Sequence, residues 1–274
     1  MFGCIAPHGG IAIAEACGPD ERDLAAVTRR GMEELGRRFD RAKPEVAIVL
    51  TPHNIHVEGA MAVVAAGNTA GMLEGHPDVR LRLAVDRSLA LAIRDAIAAE
   101  GIPVVGVSYG ANDVAAASFP MDWAVLVPLW FMGGRADPPV QTVVVAPARD
   151  LSYERHVAAG RAIAKAANAS AKRVALIASC DHGHAHDADG PYGYTPKSKE
   201  FDDEVVDLIK RDDLSGLMRM DPKLPVDAKA DSYWQMLMLH GALDGQNWTG
   251  EFLSYEAPTY FGMLCASYQP KAVR

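Results

Sequence analysis

The 274 residues are 49% hydrophobic and 23% charged, enough to bury a full core, and one α/β domain spanning 1–274 is the expectation at this length. A net charge of −8 with no run of Lys or Arg longer than two removes the electrostatic footprint of a nucleic-acid binder. Cys4, Cys17, Cys180 and Cys265 lie far apart and form no CxxC pair, which argues against a zinc knuckle or disulfide framework and for a reducing compartment.

Phe2 to Ala6 reads as a strand and Arg22 to Arg38 as an amphipathic helix with Leu24, Val27, Met32 and Leu35 inward. Glu45 to Leu50 and Ala60 to Ala65 are further strands. The Ala-rich segment Arg82 to Glu100 reads as a helix closed by Gly101, and Pro103 to Val107 as the next strand. Val140 to Ala146 and Arg173 to Ala178 are apolar strands around a helix at Tyr153 to Ala167. Helices at Ser198 to Arg211 and Tyr233 to Leu243 precede a strand pair, Phe252 to Tyr255 and Tyr260 to Ser267. The alternation predicts an α/β domain with a central mixed or parallel sheet flanked by helices. The Met-rich stretch Gln235 to Leu239 fits either a core helix or an interface. The first segment, MFGCIAPHGG, lacks a basic and apolar leader, and no stretch approaches the ~20 apolar residues that cross a bilayer, so a cytoplasmic, non-membrane protein is expected.

The histidines carry the chemistry. His8 follows the first strand in APHGG, His53 follows the second in TPHNIH, and His182, His184 and His186 follow the strand ending at Ser179. Ligands of open α/β sheets bind outside the carboxyl ends of strands, so these segments predict one metal cleft there. Two neutral imidazoles and a carboxylate suit Fe(II), while a third firm ligand plus water would suit zinc, and ligand type alone leaves the metal open. His182, His184 and His186 alternate, so in an extended segment all three project to one side. His76, His156 and His240 stand in helical or turn contexts and read as structural.

Five segments matter together: APHGG, TPHNIHVEGAMAV around His53, MDWAVLVPLWFM from Met121, SCDHGHAHDADGPYGYTPKSKEFD from Ser179, and MLMLHGALDG followed by LSYEAPTYFGM. In order and spacing they resemble the LigB-like class III extradiol dioxygenases, a group of catechol- and aminophenol-cleaving enzymes with related Memo-like proteins, over nearly the whole chain. The resemblance implies Fe(II) as cofactor, a small aromatic substrate and O₂ as partners, and His8 and His53 as metal ligands. It also implies an acid–base histidine in a Ser-x-Asp-x-x-His pattern, here Ser179, Asp181 and His184, with His182 and His186 as alternatives.

Two departures stand out. Relatives usually carry a Glu before the helix ending Gly-Ala-Leu, whereas here Asp231 is the carboxylate at that point, with Glu251 and Glu256 as alternatives. Asp231 also fits a first-turn acid favoured by the helix dipole. Many relatives carry Asp-His where this chain has Asp122-Trp123, and an indole N–H only donates. Trp123 is therefore either a substrate contact or core. Tyr192 and Tyr194 are candidate substrate contacts or packing devices, and His56 either supports the metal ligands or faces solvent. The competing readings are a redox-inactive metal hydrolase, a Memo-like protein, or a non-catalytic subunit of a heteromeric dioxygenase. A homo-oligomer or pairing with a related subunit is the accompanying expectation.

Overall fold

The computed structural model describes residues 2–271. Its first half runs β1 (Phe2–Ala6), α1 (Ala26–Ala42), β2 (Val46–Leu50), β3 (Met61–Val64), β4 (Asn68–Leu73), β5 (His76–Ala84), α2 (Arg87–Ala99) and β6 (Val104–Val107). Next come β7 (Ser118–Pro120), α3 (Trp123–Phe131), β8 (Gln141–Ala146), α4 (Tyr153–Ala169) and β9 (Val174–Ser179). The chain then forms α5 (Pro196–Lys210), α6 (Leu224–Asp227), α7 (Tyr233–Leu243), β10 (Trp248–Glu256) and β11 (Met263–Pro270).

An eight-stranded mixed sheet has the order β10-β11-β1-β9-β2-β8-β3-β6, with β1, β9, β2 and β8 mutually parallel. Every residue of β1, β2 and β9 is buried, as expected of strands covered on both faces. Side chains alternate along β1, so Gly3 faces Leu239 of α7 while Cys4 meets Met132 just beyond α3. Helices therefore flank both faces. On α7 Met236 and Met238 are fully buried, which assigns the Met-rich stretch to the core rather than to an interface.

Three expectations need correction. Helix α1 starts four residues late and buries Thr28, Gly31, Met32, Leu35, Gly36 and Phe39, while Leu24 and Val27 are exposed. Small residues make this inner face: a Cβ on Gly31 would stand 2.3 Å from Ser254 Oγ. Arg82 to Ala84 belongs to β5, not to a helix. Val79, Leu81 and Leu83 are buried there between exposed Arg80 and Arg82, a period-2 pattern, and α2 starts only after Asp86, whose carboxylate accepts the Leu89 N–H at 3.1 Å. His76 opens β5 rather than lying in a helix or turn. With β4 and β7, β5 makes a second, three-stranded sheet. Among the described residues no helix is long and apolar enough to cross a membrane.

Candidate metal centre

Strands β1, β9 and β2 lie side by side, with Ala6 opposite Ser179 and Ala178 opposite Leu50, so all three end at one edge. His8, Asp181 and His53 leave from those ends. Asp231 reaches the same point from the turn before α7: Gln235 Nε2 donates to the carbonyls of Asp231 at 2.7 Å and Ser179 at 3.0 Å, tying the helix to the end of β9. This close seating brings the shorter aspartate side chain into position. Its Oδ2 stands 3.4 Å from His8 Nε2 and 3.1 Å from His53 Nε2, and the donor atoms of the three residues all lie within 4.8 Å of one another. Adjacent ligands bound ~2.0–2.2 Å from one cation stand ~3 Å apart, so the donor set fits a metal.

Glu251 and Glu256 do not reach this point. Glu251 pairs with Arg38 at 2.6 Å, and Glu256 accepts the Thr28 N–H at 2.5 Å. Nor does Asp231 act as a helix cap: its Oδ1 accepts the Asp181 N–H at 3.2 Å.

The supporting hydrogen bonds set the His8 tautomer. Ser179 Oγ donates its one proton to the Ala124 carbonyl at 2.6 Å, so it must accept from His8 Nδ1–H at 3.0 Å. Nε2 is then the His8 nitrogen left facing Asp231, where it carries a proton toward the carboxylate or, once deprotonated, can bind a metal. Burial alone would lower the His8 pKa, but Asp181 and Asp231 outweigh it and hold the imidazole at about 9. Burial also works against the Asp231 carboxylate, yet His8 and His53 keep it well below the usual range. Burial, and then Asp231, push the Asp181 carboxyl up. A buried group of this kind is balanced by a cation, whether protons or a metal.

His184 shares the cleft. Its Nδ1 bonds the His182 carbonyl at 2.6 Å, leaving Nε2 free at 3.8 Å from Asp231 Oδ2, and its ring stacks on Phe261 at 5.5 Å and 19°. His182 and His186 point elsewhere. His182 is fully buried against Ser232 Oγ at 2.9 Å, and burial lowers its pKa, while His186 Nε2 bonds Asp202 Oδ2 at 2.9 Å. The expected common side fails because the segment is not a regular extended strand. The N–H groups of His182 and His186 donate to Gly262 and Tyr260, whereas that of His184 donates to Ala228 on another element. Gly183 makes the turn possible; a Cβ there would stand 2.7 Å from Ser198.

The cleft over these residues has a volume of about 760 Å³. Trp123, 44% exposed and thus not core, is the first residue of α3 and lies 5.0 Å from the His53 ring. Tyr192 lines the cleft 5.7 Å from the His184 ring, but Tyr194 and His56 are exposed and outside the lining. Desolvation, then the Arg149 charge, lower the His56 pKa. Sequence reasoning passed over Arg149, Lys229, Trp234, Tyr260 and Phe261, all of which line the cleft. The strand-end rule that found His53 would have found Arg149, which follows β8.

Asp202 secures the His184 loop. Buried at 1% exposure, it accepts Gly183 N–H at 2.7 Å, His186 Nε2 at 2.9 Å and Tyr255 OH at 2.6 Å. Asp202→Ala leaves these donors without partners and is expected to cost about 3–5 kcal/mol in urea denaturation. Unchanged stability would mean the loop is held by other contacts.

Comparison with known proteins follows the same line. A family model described as the catalytic LigB subunit of aromatic ring-opening dioxygenase matches residues 3–264. Protein CA_C1420 of Clostridium acetobutylicum is 26% identical over 256 residues, 91% of this chain and 53% of its own, so the chain spans about half the length of that curated relative. The crystal structure of the uncharacterized protein JW3007 from Escherichia coli K12 shares the fold, with a TM-score of 0.64 at 18% identity over 97% of this chain and 99% of that one. By the extent of the family match, the chain belongs to the LigB family of aromatic ring-opening dioxygenases.

Proposed function

We propose that the protein is an Fe(II)-dependent extradiol dioxygenase, opening a catechol- or 2-aminophenol-type ring beside its two adjacent donor groups. The observation that carries this reading is the meeting of His8, His53 and Asp231 on one point, with His184 Nε2 free beside them. Two imidazoles and one carboxylate leave positions open on Fe(II), which, when bound, supplies the electron path between ring and O₂ that side chains lack.

The protein's own part is positioning, dryness and protons. Trp123, Tyr192 and Phe261 give the ring aromatic walls. His184, whose Nδ1 proton is engaged by the His182 carbonyl, takes a proton from a substrate hydroxyl at Nε2 and returns it to the opening product. One O₂ is consumed per ring, the C–C bond beside the donor pair breaks, and both oxygen atoms enter the product, so no external reductant is required. Domain 1–274 is read as the catalytic unit, acting in the cytoplasm, where its four free cysteines would stay reduced. It works as a homo-oligomer or with a related subunit.

A second reading rests on Asp181, whose Oδ2 lies 3.4 Å from His8 Nε2. With another carboxylate at hand, the site also suits a redox-inactive metal and hydrolysis. Anaerobic loading with Fe(II), followed by ¹⁸O₂ and a panel of catechols and 2-aminophenols, tests the proposal. Two labelled atoms in a ring-opened product are expected; stoichiometric iron with no ring opening would contradict it.

A further inference from the structure

We infer that Asn54 is a positioning residue of the metal centre: it fixes the His53 imidazole by tying the turn behind it to the first turn of α3, the element that also holds His8. The inference deepens the proposed function and rests on it only for His53 as a metal ligand, not for the reaction.

The two imidazoles are held differently. His8 is buried, and its Nδ1–H donates to Ser179 Oγ at 3.0 Å. The His53 side chain is 30% exposed, and among the described residues its Nδ1 has no hydrogen-bond partner. A metal-binding imidazole is ordinarily oriented through the nitrogen that does not face the metal. For His53 that restraint must come instead from its neighbours in the chain and from the Trp123 ring, 5.0 Å away and tilted by 42°.

Asn54 supplies the chain's share. Its φ of 67° lies in the left-handed region, which asparagine enters more readily than most residues but still at a cost. The Ile55 N–H donates to the His53 carbonyl at 2.7 Å, closing a tight turn centred on Asn54. Such a backbone persists where surrounding contacts over-determine it. Here the contact is the Asn54 carboxamide, whose Oδ1 accepts the Asp122 N–H at 3.1 Å across 68 residues.

Asp122 caps α3, its carboxylate accepting the Val125 N–H at 3.2 Å, and Ala124 to Trp130 are all buried. Consecutive residues of this fixed turn therefore serve both imidazoles. Asp122 holds Asn54 through its N–H, and Trp123 packs beside the His53 ring. The Ala124 carbonyl accepts from Ser179 Oγ at 2.6 Å, and Ser179 in turn holds His8. One helix turn thus sets the relative placement of the two candidate ligand nitrogens, and Asn54 is the link through which it reaches His53.

The test is titration of the metal-free protein with Co(II), a stand-in for Fe(II) whose visible absorption reports the geometry of its ligands, in the wild type and in Asn54→Asp, Asn54→Gly and Asn54→Ala. Asn54→Gly keeps the left-handed turn at no steric cost but loses the acceptor, so it remains informative should Asn54→Ala fail to fold. Asn54→Asp keeps both the turn and the acceptor. The expected result is a Co(II) affinity at least ~10-fold weaker, with an altered absorption band, in Asn54→Gly and Asn54→Ala, and both properties restored in Asn54→Asp. Affinity and spectrum unchanged in Asn54→Gly, or lost in Asn54→Asp as fully as in Asn54→Gly, would overturn the inference and leave the metal centre standing. A wild type that binds no Co(II) would contradict the metal centre and the inference with it. Co(II) binding that depends on Asn54, while the Fe(II) form opens no ring, would support the inference and contradict the proposed function.

Discussion

Asp231→Asn is expected to lower Fe(II) affinity by more than ~100-fold and to remove ring-opening activity with it. Loss of a hydrogen-bonding partner of a metal ligand already costs about 10–100-fold, and Asp231 is a direct candidate ligand. Asparagine keeps the shape and can still accept the Asp181 N–H, so the seating of α7 on β9 should persist. What is lost is the anionic oxygen that stands 3.1 Å from His53 Nε2 and 3.4 Å from His8 Nε2. Metal content by mass spectrometry and affinity by chelator competition check the outcome. Iron bound at wild-type strength would exclude Asp231 as a ligand. Glu251→Gln serves as the control, because that carboxylate is paired with Arg38 and should leave metal binding alone.

The second large effect concerns His184. His184→Ala is expected to leave iron content intact while lowering kcat by ~10²–10⁴, the usual contribution of a positioned acid–base group. The geometry separates this residue from its neighbours: His184 Nε2 is free at the cleft, whereas His182 is buried against Ser232 and His186 is bound to Asp202. Substitution of His182 or His186 should therefore register mainly in stability. Single-turnover kinetics with the iron content of each variant measured in parallel distinguish the cases. A fall in kcat for His186→Ala at full stability, with His184→Ala unaffected, would reverse the assignment.

Much of this site was legible in the sequence because it depends on a local signal. A buried strand such as β1 or β2 ends in Pro-His, and parallel neighbours must deliver those histidines to the same edge. Asp231 was legible as a candidate, but its choice over Glu251 and Glu256 was not. That choice depends on Gln235 tying α7 to Ser179, a contact across 56 residues. The divergent directions of His182, His184 and His186 were hidden for a related reason: their backbone partners, Gly262, Ala228 and Tyr260, are remote in sequence. In the fold, the three-stranded sheet went unseen because Arg82 to Ala84 extends naturally into the Ala-rich pattern of α2, which masks the alternation of Val79, Leu81 and Leu83. Leu24 and Val27 misled because apolar side chains suggested the inner face of α1, whereas Gly31 and Gly36 permit the close approach that forms it. Arg149 follows β8 at the same distance as His53 follows β2, but a lone arginine at a strand end becomes informative only once Trp234 and the cleft surround it.

The most direct measurement compares the same protein loaded anaerobically with Fe(II) and with Zn(II), then given O₂ and a panel of catechols and 2-aminophenols. O₂ consumption and the yellow ring-opened product are followed together. The Fe(II) form is expected to consume one O₂ per ring opened, and the Zn(II) form none. A fully iron-loaded protein that opens no ring, or a Zn(II) form that turns over as fast, would contradict the assignment of His8, His53 and Asp231 to an Fe(II) dioxygenase centre.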